Sequence, residues 1–253
     1  MRFLPGFTCL GGRPAFPRWT LRPSAAAISA SKLEESGRYT LINSREEYAN
    51  DLDKSELYRA RNPGIREFMG HEKTLSAVRR WVEDFIVELN LCPFAGRELL
   101  RNRIRFVVTE ATTEEHLLAA LETELALLND DAAVETTLLI HPNVLRDFVD
   151  YNQFLDSADQ LLVQMGLEGV LQVASFHPDY QFAGTAADDA ENYTNRSPYP
   201  LLHILREASV ERSIAAYPEV EQIPVRNIAL MNSLGREKLQ ALLQDCSEDN
   251  RKQ

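Results

Sequence analysis

The chain has 253 residues, 44% of them hydrophobic and 26% charged, enough for one full core with the composition of a soluble globular protein. No apolar run approaches the ~20 residues that cross a bilayer, which excludes a helical membrane protein. The formal charge is -11, and from His71 to the end 30 acidic residues face 16 basic ones, a balance near -14 that repels nucleic acid and anionic membranes, so neither is expected as a partner.

Residues 1–33 hold five basic residues (Arg2, Arg13, Arg18, Arg22, Lys32) and no acid, with Ser and Ala enriched. Two readings stand. A transit peptide would send the protein to the mitochondrial matrix or a plastid, whereas a mispredicted start, with Met69 as the initiator, would leave it in the cytoplasm. Residues 34–70 are polar and contain the turn signal Asn62-Pro63-Gly64, so they read as a linker or arm. Cys9, Cys92 and Cys246 are odd in number and far apart, which argues for a reducing compartment and against a disulfide framework.

The core reads as a single α/β domain over residues 71–246, followed by a polar tail, 247–253. Leu75, Val78, Trp81, Val82, Phe85, Ile86 and Leu89 repeat at helical spacing until Pro93 prevents continuation. A strand is expected near 103–109, then a helix over 113–128 capped by Thr112 or Thr113. The run Thr136 to Ile140 predicts a strand that stops at His141-Pro142. A helix over 144–165 follows, closed by Gly166, and a third strand stops at His177-Pro178. The alternation predicts a mostly parallel sheet of about three strands flanked by amphipathic helices. If the strands are parallel, His141 and His177 share the edge where open α/β proteins place their ligands. Residues 178–196 lack periodicity yet carry Tyr180, Phe182 and Tyr193, which argues for a packed loop. Ser197-Pro198 reads as the cap and first position of another helix, with Tyr199, His203 and Arg206 on one face and an anion site at its amides. A final structural helix is expected near 226–244.

Several motifs resemble a bacterial and organellar family known as a domain of unknown function. They are Asn-Leu-Cys-Pro-Phe-Ala at 90–95, Leu-Leu-Ile-His-Pro at 138–142, Asp-Tyr-Asn-x-Phe-Leu-Asp at 150–156, Ser-Phe-His-Pro-Asp-Tyr-Gln-Phe-Ala-Gly-Thr at 175–185, and Asn-Tyr-Thr-Asn-Arg-Ser-Pro-Tyr-Pro at 192–200. The resemblance covers about residues 72–245 and implies no activity or catalytic residue.

The leading expectation is an enzyme, a hydrolase or transferase acting on a small anionic substrate. Its catalytic set would be Cys92, His141, His177 and Asp179, with Tyr180, Asn195, Arg196, Ser197, Tyr199 and His203 binding substrate. Two chemistries fit. Cys92 could act as nucleophile with His177 as its base and Arg196 holding the anion. Alternatively, His141 and His177 with Asp179 or Cys92 could bind a divalent metal as cofactor and activate water. The competing reading is a non-catalytic module that binds a metabolite or protein through residues 178–206. It predicts histidines buried singly rather than facing a shared pocket with Arg196. No feature sets an oligomeric state, and no glycine-rich phosphate loop is present.

Overall fold

A computed structural model describes residues 63–248, with side chains from residue 71 on. The expected leader, residues 34–62 of the expected arm and residues 249–253 lie outside the described residues. Helix α1 spans Pro63–Arg80, so it begins earlier than the periodicity near Glu72 suggested. Proline is tolerated at a first helical position, where no N–H is needed. The helix continues through Trp81–Val87 in wider turns, with the Glu88 N–H donating to the carbonyl of Glu83 five residues back.

Four strands pair into one sheet in the order β1-β2-β4-β3: β1 Ile104–Val108, β2 Thr136–Ile140, β3 Leu171–Phe176 and β4 Leu201–Arg206. β1 and β2 are parallel, whereas β4 runs antiparallel to both of its neighbours. The expectation of about three mostly parallel strands is thereby corrected: the sheet is mixed and four-stranded. The expected helix beginning at Ser197 is instead β4. Pro198 and Pro200 bias Ser197 and Tyr199 toward extended backbone, and the run Leu201 to Leu205 then fills the slot between β2 and β3. Because β4 lies antiparallel between them, β2 and β3 still point the same way. Ile140 and Phe176 both pair with Leu201, which brings their histidine exits to one edge.

Helices cover both faces. On one face, α3 (Glu114–Asp130) and α4 (Phe148–Gln164) bury Leu117, Leu121, Leu125, Phe154 and Leu161 against Leu139, Leu202 and Ile204. Thr113 caps α3 by accepting the His116 N–H, and Asp147 caps α4 by accepting those of Val149 and Asp150. On the other face, α1 packs Val78, Trp81 and Phe85 against Leu138, Ile140 and Leu201, together with Met231 and Leu239. Those last two come from α6 (Gln222–Leu234) and α7 (Arg236–Ser247), which replace the single final helix expected near 226–244. Gly235 breaks that run with φ 76°, backbone that a side chain rarely adopts. The described residues also form two shorter helices, α2 (Ala95–Leu100) and α5 (Glu207–Ala216), and a 3-10 helix, Ala190–Thr194.

Ion pairs tie the helices to the sheet. Arg105 of β1 meets the buried Glu124 of α3 through two bonds of 2.8 and 3.1 Å. Among the described residues no helix is long and apolar enough to cross a membrane.

Candidate functional site

Strand alternation decides where the two edge histidines go. Ile140 and Phe176 face α1, so His141 and His177 turn toward α4 and lie among its aromatic side chains, fully buried. The His141 ring stacks on Tyr151 at 5.7 Å, and that of His177 sits 5.0 Å from Tyr151 and 5.4 Å from Phe148. Hydrogen bonds assign the tautomers. His141 donates from Nδ1 to the Val144 carbonyl at 3.0 Å, leaving Nε2 as a buried acceptor with no partner among the described residues. Nδ1 of His177 accepts the Asp179 N–H at 3.0 Å, so its proton is on Nε2, which donates to the Leu145 carbonyl at 3.2 Å. Burial drives His141 down from its ordinary 6.5 to about 4, and it lowers His177 as well. The two rings hold successive carbonyls of a loop in which Leu145 has φ 55°, a strained conformation for a leucine. Tyr151 anchors the group by donating to the Leu201 carbonyl at 2.8 Å and accepting the Phe176 N–H at 3.1 Å.

Cys92 sits in the turn after α1, half-buried, and packs with the cluster on the α1 face. The sheet therefore lies between it and His177, and the expected thiol–imidazole pair is not brought together. Burial pushes the Cys92 thiol up, only partly opposed by the N–H groups of Phe94 and Ala95, so the thiol keeps its proton. The metal arrangement fares no better. Both ring nitrogens of His177 are committed to main-chain partners, and the described residues contain no group of three or more His, Cys, Asp or Glu side chains able to hold an ion.

Residues 178–198 are ordered by their own contacts. Tyr180 and Phe182 are core side chains, and Asn192 bridges the loop from inside. Its Oδ1 accepts the Phe182 N–H and the Thr185 hydroxyl, and its Nδ2 donates to the Ala186 carbonyl. Asn195 donates to the Ser175 carbonyl at 3.2 Å, joining the loop to β3, and the buried Ser197 hydroxyl donates to the Tyr199 carbonyl at 2.7 Å. Arg196 is pinned by neutral groups: Nε donates to the Tyr180 carbonyl at 3.3 Å, Nη2 to that of Ala187 at 2.6 Å, and the guanidinium lies 4.6 Å over the Tyr193 ring. It has no carboxylate partner among the described residues.

Asp179, Tyr193, Arg196 and Ser197 line one wall of a cleft of about 560 Å³. The opposite wall is one face of α7, with Arg236, Gln240, Leu243, Gln244 and Ser247 at helical spacing. The histidines do not line it.

Over residues 73–241 the sequence matches the family model described as protein of unknown function (DUF1415). The chain belongs to the DUF1415 family. No curated protein and no solved structure matches it. The DUF1415 match includes all four strands, both histidines, the 178–198 segment and the first half of α7.

The remaining expected site residues of this DUF1415 chain, Tyr199 and His203, lie beside and on β4. His203 lies on β4, not on a helix; its Nε2–H donates to the Thr136 hydroxyl at 2.7 Å, and that hydroxyl donates to the Ile204 carbonyl at 2.6 Å. Burial takes His203 down to about 4. Tyr199 packs half-buried on the α1 face. Arg206 donates to the carbonyls of Leu128, Asp131 and Val134, neutralising the C-terminal end of α3. The expected Tyr199, His203 and Arg206 helix face does not exist, and neither does a helix terminus at Ser197, because a strand sends alternate side chains to opposite sides. The missed residues were those of α7. A polar stripe at positions 236, 240, 244 and 247 was visible in the sequence, but such a stripe ordinarily marks a solvated helix face.

Proposed function

We propose that this protein is a binding module for small polar molecules, with its site in the cleft between residues 178–198 and α7. One observation carries the reading: Asp179, Tyr193, Arg196 and Ser197 converge on one concavity within the size range of small-molecule sites, while both histidines are sealed away from it. A pinned guanidinium with no carboxylate partner among the described residues favours a ligand with an anionic group. The second reading, an enzyme using His141, His177 and Cys92, has a single point in its favour. His141 Nε2 is a buried acceptor without a partner among the described residues, beside the strained Leu145.

The test is an amide-resolved NMR titration with carboxylates, phosphate esters, amines and free amino acids. Shifts should cluster in residues 178–198 and 236–248 and vanish in Gln240→Trp, which fills the cleft. Shifts confined to other residues, or unchanged in Gln240→Trp, would overturn the binding reading.

A further inference from the structure

The cleft brings together several charges. Arg236 pairs with Asp188 at 2.7 Å, and Glu248 makes an interaction of its own. Arg196 and Asp179 are different: neither has an ion-pair partner among the described residues, and they do not pair with each other. Asp179 is held by its backbone, whose N–H is committed to His177, and its carboxylate is exposed. Arg196 spends two of its five N–H donors on main-chain carbonyls and keeps three. Among the described residues the cleft thus holds one anchored positive charge, on Arg196, and one exposed negative charge, on Asp179, neither with an ion-pair partner. The amides of Gln240 and Gln244 lie opposite, each able to donate and accept, and Leu243, Pro178 and Pro198 supply apolar surface.

We infer that the cleft recognises a small zwitterion, one molecule presenting a carboxylate to Arg196 and an ammonium to Asp179, the chemical class of the free α-amino acids. The inference rests on the binding-module reading and narrows it. A simple anion would satisfy Arg196 but leave Asp179 beside a second negative charge. It would also approach a core whose charge is near -14, whereas a zwitterion has no net charge to repel. Discrimination then comes from the unpaired partner: a ligand lacking either charge leaves one cleft charge without its match.

The experiment is calorimetry on the full chain with the twenty L-amino acids. The tightest binder is then compared with its deamino acid, which lacks the ammonium, and its decarboxylated amine, which lacks the carboxylate. At least one amino acid should bind, with each analogue at least about tenfold weaker. Asp179→Asn, an exposed position, should abolish the advantage of the amino acid over its deamino analogue, weakening the amino acid and, by removing the repulsion, binding the deamino acid more tightly. Arg196→Gln should weaken the amino acid and the deamino acid alike. Equal affinity for the amino acid and its deamino analogue would overturn the zwitterion. So would an Asp179→Asn protein that still tells them apart, or a protein that binds no amino acid. The wider reading fails separately, when no small molecule of any class perturbs residues 178–198 and 236–248.

Discussion

His177 and Asp179 are two residues apart, yet they belong to opposite kinds of environment. His177 closes an aromatic knot in which both of its nitrogens are satisfied and no surface is exposed. Asp179 opens a cleft in which its carboxylate and the Arg196 guanidinium lack ionic partners among the described residues. A saturated polar group contributes to stability and an unsatisfied exposed one is available to a ligand. Damage to the knot should therefore unfold the protein, whereas damage to the cleft should leave it folded and weaken binding.

Acid should affect the desolvated imidazoles most, that of His141 in the knot and that of His203 on the opposite face of the sheet. Both are held near 4 when folded, against 6.5 when unfolded, so the unfolded chain takes up protons first as pH falls. Stability is complete above about pH 6.5 and is lost progressively toward pH 4, by about 3 kcal/mol for each histidine. Urea denaturation at pH 7, 5 and 4 measures this, and a midpoint that does not move would contradict the buried neutral imidazoles. Tyr151→Phe comes next. It removes the hydroxyl shared by the Leu201 carbonyl and the Phe176 N–H and should cost about 2 kcal/mol in urea denaturation, with no change in ligand-induced shifts at the cleft.

Arg196→Gln sharpens the comparison from the other side. Its guanidinium is half-exposed and bonded to the carbonyls of the buried Tyr180 and the exposed Ala187, so the stability cost should stay near 1 kcal/mol while cleft binding falls at least about tenfold. The smallest effect is expected at Cys92. Its raised thiol should react with iodoacetamide at pH 7 more slowly than the thiols of the urea-unfolded chain, and Cys92→Ser should change melting little. Rapid alkylation of Cys92 in the folded protein would restore the enzyme reading.

Much of this was legible in the residues. The two apolar runs ending in His-Pro predicted strands whose exits meet at one edge, and the edge is there because β2 and β3 point the same way. Thr113, Pro93 and Gly166 punctuated their helices through local chemistry alone. The candidate site was half legible. Asp179, Arg196 and Ser197 share a cleft, but Cys92, which was grouped with the histidines, packs on the other face of the sheet. Its face depends on how the turn after α1 meets the sheet, which no local pattern specifies.

Amphipathic spacing, caps and breakers are local, and so short-range patterns suffice for the helices α1, α3 and α4, the strands β1 to β3 and the existence of an ordered segment after His177. Long-range packing makes 201–206 a strand. Its apolar run suits a buried helix as well as a buried strand, and the open hydrogen-bonding edges of β2 and β3 select the latter. Tertiary structure likewise decided that a polar stripe on α7 would become the wall of a cleft. A stripe of glutamines and an arginine carries the same pattern in water as against a neighbouring loop, and only packing distinguishes the two.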